Sequence, residues 1–246
     1  MLRVVTLNIH KGLSQFNRRV VIHELREGLR ALQPDLVFLQ EVQGQNRRHA
    51  SRFTSWPSEG QHEFLAGEEL EHVYGRNRVH QHGHYGNALL SRFPIVSHEN
   101  EDVSHHRFER RGLLHIVVKV PGWQRNLHCL CVHLSLHERG RRQQLDAIAA
   151  RLEALADKRL PIIVAGDFND WRQRASLILE KSLGMTEVGV ATGGRHSRTF
   201  PSVLPLLHLD RIYVRGFKVL RTKVHRGRPW SLLSDHLALS AELERG

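Results

Sequence analysis

Several features are scarce in this sequence, and each scarcity argues against a class of protein. The chain has two cysteines in 246 residues, Cys129 and Cys131, both in the segment LHCLCVHL. Residues two apart on a strand point to one face, with Cα atoms beyond comfortable disulfide geometry. We therefore predict two small buried side chains and expect neither a disulfide nor a metal site from them.

Long apolar runs are also missing. No stretch approaches the ~20 consecutive apolar residues that span a bilayer. The first residues, LRVVTLN, have the composition of a strand and lack the basic segment and long apolar core of a signal peptide. We expect a cytoplasmic protein without a transmembrane segment.

Lysine and acidic residues are in the minority among the charges. Only six of the 36 basic residues are lysine and thirty are arginine, against 25 acidic residues, so the formal net charge is +11. Arginine presents a planar fork of donors that suits phosphate. A basic surface favours polyanions such as nucleic acid, anionic lipid or a phosphorylated small molecule, and solubility alone is an equally good explanation.

Short apolar strands alternate with a few helices along the chain. Apolar residues from Val21 to Leu32 recur at helical spacing and predict a helix over 17–33 that Pro34 ends. Further helices are predicted over 140–156 and near 173–183, loops around one or two weak elements over 43–84, and a loop over 189–202. Strands are predicted at 2–8, 35–42, 86–95, 112–120, 125–134, 160–166, 209–214, 217–225 and 236–243. Without a linker or repeat, this pattern favours one domain, 1–246, with two face-to-face sheets flanked by helices.

A side chain able to hold a metal or a phosphate stands at the end of one strand after another. The set along the chain is Asn8, Glu41, His133, Asp167, Asn169, Asp210, Asp235 and His236. Active sites are commonly assembled from loops at strand ends, so we expect these residues to share one rim. In the segment VAGDFND, Asp167 and Asn169 are two apart, and on an extended chain they would point to the same side.

The chemistry of this set favours hydrolysis assisted by a metal. Carboxylates and a carboxamide oxygen suit a hard cation such as Mg²⁺ better than zinc. Two histidines suit acid–base chemistry or stabilisation of charge on phosphorus. The sequence has no glycine-rich phosphate loop and no G-x-S-x-G nucleophile motif. It therefore favours attack of water on a phosphate ester over a covalent serine mechanism.

The segments TLNIHKG, LQEV, GNALLSRFP, VHLSL, GDFND, LDRIYV and SDHLAL, in this order, resemble those of the endonuclease/exonuclease/phosphatase superfamily. That family includes pancreatic deoxyribonuclease, abasic-site endonucleases, neutral sphingomyelinases and inositol polyphosphate phosphatases. The resemblance runs from residue 6 to residue 239 and covers nearly the whole chain. It implies an α+β fold, a four-layer α-β-β-α sandwich of two mixed β-sheets flanked by helices, which agrees with the pattern above.

The resemblance also implies which residues hold a metal and a water. Glu41 is similar to the principal metal carboxylate, with Asn8 beside it and Asp235 as a further acid on the metal side, so Mg²⁺ or Mn²⁺ is the implied cofactor. Asp167 resembles the residue that orients or deprotonates the attacking water. Asn169 resembles a ligand of a phosphate oxygen.

The resemblance places five more residues near the phosphate. His236 is similar to the histidine on the scissile phosphate, Asp210 to its orienting carboxylate, and His133 to a second phosphate-facing histidine. The sequence does not reveal which carboxylate orients His133. Arg111 is a weaker match to a phosphate-binding arginine, and Asn87 matches a motif position without a defined role; both are expected to bind substrate.

Two positions depart from the abasic-site endonucleases. Those enzymes have Asp where this chain has His10, and Tyr where it has His133. The NIHKG segment and the His-Leu pair are more similar to sphingomyelinases and small bacterial relatives. The substrate therefore stays open between nucleic acid, which the arginine content favours, and an anionic phospholipid head group, which the NIHKG segment favours.

Structural interpretations compete with the catalytic one at several positions. Asx residues such as Asp167 favour turns, and Asp210 could pair with its neighbour Arg211. Asp170 lies outside the matching pattern and is expected to be structural. The segment HQHGH, 80–84, suggests zinc, but alternating histidines in a glycine-containing loop are more typical of a solvated loop than of a closed four-ligand site.

These observations predict a Mg²⁺- or Mn²⁺-dependent phosphodiesterase, a hydrolase of phosphate ester bonds, with a monomer favoured. Water would attack phosphorus in line. A phosphomonoesterase of a small phosphorylated substrate and a non-catalytic polyanion-binding module on the same fold are the alternatives.

Overall fold

The computed structural model describes residues 1–155, 157 and 159–246. These residues form strands β1 (Leu2–Asn8), β2 (Leu36–Asn46), β3 (Glu71–His80), β4 (Gly83–Ser91), β5 (Ile95–Asp102), β6 (Gly112–Val118), β7 (Leu127–His133), β8 (Ile162–Asp167), β9 (Thr186–Glu187), β10 (Asp210–Arg215), β11 (Phe217–Val224) and β12 (Leu239–Arg245). The helices are α1 (Ile22–Ala31), α2 (Arg47–Arg52), α3 (Gln61–Ala66), α4 (Glu138–Ala154), α5 (Arg174–Ser176), α6 (Val188–Gly193) and α7 (Trp230–Leu233). A 3₁₀ turn, His10–Gly12, follows β1, and a π-helical turn, Leu177–Ser182, continues α5.

The strands form two six-stranded sheets with the orders β11-β12-β1-β2-β4-β3 and β5-β6-β7-β8-β10-β9. One central pair in each sheet is parallel, β1 with β2 and β7 with β8. The other neighbouring pairs are antiparallel. Both sheets are therefore mixed.

The two sheets pack face to face, and the helices cover their outer faces. The shared core between the sheets includes Val4, Phe38 and Leu89 from the first sheet and Ile116, Cys129 and Ile163 from the second. Outside the first sheet, Leu25, Leu29, Trp230 and Leu233 of α1 and α7 pack on Val5, Leu7 and Val37. Outside the second sheet, Leu145, Ile148 and Leu152 of α4 pack with Leu130, Val132 and Val164. This arrangement confirms the predicted four-layer α-β-β-α sandwich.

Both cysteines are buried free thiols, as predicted. The strand that carries them is apolar on both faces because one face meets the other sheet and one meets α4. Among the described residues, none of the helices has the length and apolar character needed to cross a bilayer. The single domain stays a prediction.

The segment 43–84, predicted as loops around one or two weak elements, contains more regular structure than that prediction allowed. It contains α2, α3, β3 and the end of β2, and β4 begins at Gly83. The strand predicted over 86–95 is also wrong at its end, because β4 stops at Ser91 and Ile95 begins β5. Both β3 and β5 are edge strands whose polar residues lie largely in solvent, so their sequences lack the apolar alternation of a half-buried strand.

Helix boundaries differ from the prediction in three places. The first helix begins at Ile22, not at residue 17, and ends at Ala31. The second ends at Ala154; residue 156, its predicted end, lies outside the described residues. The predicted loop over 189–202 contains most of α6, whose first turn is capped by the Glu187 carboxylate accepting from the Val190 amide at 2.7 Å. A glycine- and threonine-containing hexamer has little intrinsic helix propensity, which explains the error.

Candidate active site

The strand topology gathers the predicted polar residues at one edge of the sandwich. In the second sheet, His133 of β7 and Asp210 of β10 are both in register with Asp167, the last residue of β8. In the first sheet, Asn8 ends β1 beside β2. The parallel pairs β1–β2 and β7–β8 thus bring their carboxyl ends to the same rim.

Asp167 lies at the centre of this cluster and is only 1% exposed. Its Oδ2 accepts a hydrogen bond from Asn8 Nδ2 at 3.2 Å. The same oxygen lies 3.5 Å from His133 Nε2 and 3.8 Å from His236 Nε2. Asp167 is thus the carboxylate that faces His133, the partner that the sequence did not reveal.

His236 and Asp210 form a hydrogen-bonded pair at the same rim. His236 Nδ1 lies 2.8 Å from Asp210 Oδ2, and Asp210 is fully buried. Ser234 fixes the segment before β12 by donating from Oγ to the Asn8 carbonyl at 2.7 Å and by accepting the His236 amide at 3.1 Å. The ring of Phe200 packs on His236 with centroids 4.9 Å apart. Both faces of the cluster are therefore held by main-chain and aromatic contacts.

The environment gives these groups different protonation states. Burial raises the pKa of Asp167 to about 6, with His236 opposing the rise and Asp210 adding to it. Burial alone would lower the pKa of His236, but Asp210, Asp167 and Asp235 together raise it to about 10. Burial, aided by Arg111, lowers the pKa of His133 well below its usual value. Near neutral pH the site therefore holds an ionised Asp167, an imidazolium at His236 and a neutral His133.

Glu41 lies at an irregularity in β2. The register of β2 with β4 shifts between Leu39 and Val42, and Glu41 has φ of +57°. This left-handed conformation costs a non-glycine residue roughly 1–2 kcal/mol. Bulges next to active sites often redirect a side chain in this way. Here the bulge brings Glu41 Oε1 to 3.5 Å from Asn8 Nδ2.

The Glu41 carboxylate is suited to a cation. Within the described part of the chain, its Oε2 is buried and accepts no hydrogen bond. Burial opposes ionisation, but Lys11, whose Nζ lies 3.5 Å from Oε2, and then His10 and His236 hold the pKa of Glu41 below its usual value. A buried, ionised oxygen that accepts no hydrogen bond and has only the Lys11 ammonium 3.5 Å away among the described residues fits a hard cation such as Mg²⁺. The donor set is also free of thiolates, as a hard cation requires.

The expected geometry of Asn169 is wrong in one respect. The chain is no longer extended at this residue, because Asn169 has φ of +47°. Its amide donates to Asp167 Oδ1 at 2.9 Å, which is the Asx turn that competed with the catalytic interpretation. Its Nδ2 donates to the Leu134 carbonyl at 3.0 Å. Asp167 therefore uses one oxygen for the turn and presents the other to the histidines.

The remaining predicted residues lie around this centre. Asp235 is half-buried next to His236, and its Oδ1 lies 3.3 Å from Ser234 Oγ. Asn87 is buried in β4 and donates to the carbonyls of Gly112 and Cys131 at 3.2 and 3.4 Å. Because these bonds join β4 to the second sheet, Asn87 can hold the two sheets together as well as contact a substrate.

Arg111 lines a cleft of about 850 Å³ that opens beside Glu41. Its guanidinium donates to the Leu134 carbonyl at 3.3 Å and pairs with Glu109 at 3.1 Å. The cleft wall also carries the basic side chains Lys11, Arg78 and Arg139. A concave, basic cleft next to a carboxylate cluster suits a phosphorylated ligand.

The family model described as "Endonuclease/Exonuclease/phosphatase family" matches residues 5–236. The chain belongs to this family. It is 44% identical over 242 residues to "Uncharacterized protein YbhP" of Escherichia coli (strain K12), a match that covers 98% of this chain and 95% of that protein.

Solved structures of the endonuclease/exonuclease/phosphatase family have the same fold. The Beutenbergia cavernae member aligns with a TM-score of 0.77 and 21% identity, covering all of this chain and 72% of the other. The mannosyl-6-phosphatase Bt3783 of Bacteroides thetaiotaomicron aligns with a TM-score of 0.75 and 16% identity, covering 99% and 100% of the two chains. At these identities the likeness establishes the fold and not the substrate.

Sequence reasoning gave no role to two features of this family member's site. His10 and Lys11 of the 3₁₀ turn both have left-handed backbone conformations, and the Lys11 ammonium lies 3.5 Å from the Glu41 carboxylate. Lys11 belongs to the NIHKG segment, but its contact with Glu41 is visible only in the folded chain. Arg211 is fully buried and pairs with Asp170 at 3.3 Å, so it does not pair with Asp210. Asp170 is thus structural, as expected, and it also accepts from the Ala175 amide at 2.7 Å.

The histidines of HQHGH do not assemble into a metal-binding group among the described residues. Two of them, His80 and His84, lie on β3 and β4, and His84 Nδ1 is 3.0 Å from the hydroxyl of Tyr74. A separate group of three ligand-type side chains, His62, Glu63 and His72 on α3 and β3, lies outside the candidate active site among the described residues.

Proposed function

We propose that this protein is a divalent-metal-dependent phosphodiesterase in which water attacks phosphorus in line. The observation that carries the proposal is the position of Asp167 Oδ2, within 3.8 Å of both His133 and His236 and hydrogen-bonded to Asn8. Glu41 lies 3.5 Å from the same Asn8 nitrogen, and among the described residues its buried Oε2 accepts no hydrogen bond and faces Lys11. A base, a cationic donor and a metal-type carboxylate therefore surround one space.

Asp167 is the residue suited to handle the water. Its carboxylate is ionised at neutral pH, yet its pKa of about 6 is close enough to neutral for it to accept a proton. Oxygen of the water forms a bond to phosphorus while the ester P–O bond breaks. The water gives one proton to Asp167, and the departing alcohol takes up a proton.

His236 is suited to stabilise the charge that develops on the phosphoryl oxygens. Asp210 keeps its ring protonated and fixes its orientation through Nδ1, which leaves Nε2 directed at the reacting space. His133 is neutral and can accept or donate one hydrogen bond there. Asn169 remains a predicted contact of a phosphate oxygen through the second N–H of its Nδ2, since the first donates to the Leu134 carbonyl, and Asn87 remains a predicted substrate contact.

Glu41 would hold the cation, with Asp235 and Asn8 as the other predicted ligands; Asn8 would have to turn towards the ion its carboxamide oxygen, which here accepts from the His10 amide at 3.1 Å. Bound there, Mg²⁺ or Mn²⁺ would neutralise charge on the phosphate oxygens. The chain's own part is to keep Glu41 ionised through Lys11 and to separate it from Asp167 through the Asn8 carboxamide, which donates towards both.

The test is hydrolysis of bis(p-nitrophenyl) phosphate with Mg²⁺. Asp167→Asn and His236→Gln should each remove nearly all activity, because one removes the base and the other the charged donor. Asp102→Asn serves as a matched control, since this exposed carboxylate pairs with Arg110 outside the cluster. Wild-type activity in either site variant, or no metal-dependent activity in the wild type, would contradict the proposal.

A further inference from the structure

Large apolar side chains are exposed in the loops that surround the candidate active site. Each of these loops joins the end of a strand that carries a site residue or lines the cleft. Among the described residues, five such tips in loops are Phe16 (72% exposed), Val203 (68%), Leu204 (65%), Phe108 (62%) and Leu136 (57%), and a sixth, Leu232 (46%), lies on the short helix α7. We call this set the apolar rim.

The apolar rim is fixed to the catalytic cluster by short connections. Leu136 lies three residues after His133, and together with Phe108 it lines the cleft that contains Glu41. The loop of Val203 and Leu204 is held by Ser202, whose amide donates to the Asp235 carbonyl at 2.7 Å. A molecule or surface that binds the apolar rim therefore also lies against the opening of the candidate active site.

Arginines flank the apolar tips. The guanidinium of Arg107 lies 4.7 Å from the centroid of the Phe108 ring, and that of Arg18 lies 5.7 Å from the centroid of Phe16. Arg228 is exposed four residues before Leu232. None of these three arginines pairs with a carboxylate within the described ranges. The rim thus combines apolar tips with uncompensated positive charge.

This combination matches an anionic bilayer better than a nucleic acid. Only two of the six tips, Phe16 and Phe108, offer a ring on which a base could stack, and the other four are aliphatic. Aliphatic and aromatic tips gain free energy by entering the boundary between head groups and acyl chains, while neighbouring arginines meet anionic head groups. Separate tips on several loops also suit a soft, flat surface better than a shaped protein partner.

We propose that the apolar rim docks on an anionic phospholipid bilayer, so that the phosphodiester presented to Asp167 and His236 is that of a lipid head group. The proposal rests on the phosphodiesterase activity proposed above and adds its substrate class. The apolar tips and the arginines act together in docking, and the catalytic residues take no part in it.

The test uses sedimentation with vesicles of phosphatidylglycerol and phosphatidylcholine. The double variant Val203→Ser, Leu204→Ser should lower partition onto these vesicles by about tenfold or more, because two exposed apolar side chains lose their insertion. The matched control is Val96→Ser, Leu220→Ser, which removes exposed apolar side chains from β5 and β11, away from the rim. Binding should weaken with added salt and be lost on pure phosphatidylcholine.

Hydrolysis separates this proposal from the previous one. The rim variant should keep wild-type hydrolysis of bis(p-nitrophenyl) phosphate but release less head group from the anionic vesicles. Wild-type protein that hydrolyses the soluble diester and nicks plasmid without binding vesicles would overturn the docking proposal alone. Equal vesicle binding by the rim variant and the wild type would also overturn it. Vesicle binding that the rim variant loses, with no hydrolysis of any diester, would support docking and contradict the phosphodiesterase proposal.

Discussion

Replacing Asp210 by Asn tests how the candidate site controls its charged histidine. Asp210 is fully buried and accepts a hydrogen bond from His236 Nδ1 at 2.8 Å. Burial alone would lower the pKa of His236, but Asp210 raises it more than any other residue does, and the pKa is about 10. The substitution keeps the shape of the side chain and removes its charge.

The expected magnitude follows from the protonation of His236 and from its orientation. At pH 7.5 a group with a pKa of about 10 is almost fully protonated, whereas a histidine at its ordinary pKa of about 6.5 is only about one-tenth protonated. Losing the orienting carboxylate of a catalytic histidine lowers kcat by up to about 10⁴-fold in the serine protease triad. We therefore expect Asp210→Asn to lower kcat for bis(p-nitrophenyl) phosphate by roughly 10²- to 10⁴-fold.

A direct readout of His236 separates this effect from a general loss of structure. In an NMR titration, the ring resonance of His236 should not shift between pH 5 and 9 in the wild type, in keeping with a pKa of about 10. In Asp210→Asn the same resonance should titrate within that range. His236→Gln identifies the resonance, and Asp102→Asn is the control for a surface charge. An unchanged kcat together with an unchanged titration would refute the reasoning.

Three further predictions concern the metal, the buried ion pair and acid stability. Glu41→Gln should raise the Mg²⁺ concentration for half-maximal activity by more than about tenfold, since even an outer-shell partner of a metal is worth that much. Asp170→Asn leaves Arg211 buried without its carboxylate and should lower the free energy of unfolding in urea by about 3–5 kcal/mol. Burial, then His128, lowers the pKa of His115 to about 4, so the stability that its neutral ring contributes is fully present above pH 6.5 and is lost as the pH falls from 6.5 through 4. His115→Gln should therefore lose less unfolding free energy than the wild type over that pH window.

Each of these predictions has an outcome that would contradict it. An unchanged Mg²⁺ dependence in Glu41→Gln would remove this carboxylate from the metal site. A change below about 1 kcal/mol in Asp170→Asn would show that Arg211 finds another anion or water, since breaking a buried pair otherwise costs far more. Parallel loss of stability in His115→Gln and the wild type would show that this histidine is not kept neutral by the fold.

The sequence predicted the edge of the molecule that holds the candidate active site better than its outer strands. Asn8, His133, Asp167 and Asp210 follow or begin strands with strongly apolar sequences, and the central position of those strands in the sheets explains why the signal was clear. The edge strands β3 and β5 bury few side chains, so their sequences carry little periodicity. Hydrophobic patterning reports burial, and an edge strand has little of it.

Within the site, the pattern located the residues but not all of their geometry. Glu41 reaches the cluster through a bulge and a positive φ, which no local propensity predicts for a glutamate. Asn169 was expected on extended chain and lies instead in a left-handed turn that Asp167 holds. The pairing of Asp170 with Arg211 joins residues 41 apart, and such a contact depends on the sheet register.

The structure also bears on the non-catalytic alternative, a polyanion-binding module on this fold. A module of that kind has no use for a buried Asp167 whose pKa is raised to about 6 by burial, because burying the carboxylate opposes its ionisation without adding to the binding surface. Perturbed acids of this kind cluster at catalytic sites, and this one lies where the resemblance expects the water-handling residue.

The most direct test of the central claim follows the oxygen of the attacking water. Wild-type protein with Mg²⁺ and bis(p-nitrophenyl) phosphate in ¹⁸O-labelled water should place the label in the phosphate monoester and none in p-nitrophenol, and Asp167→Asn should form neither product. Label in p-nitrophenol, or metal-dependent hydrolysis that persists without the Asp167 carboxylate, would contradict attack of an Asp167-held water on phosphorus.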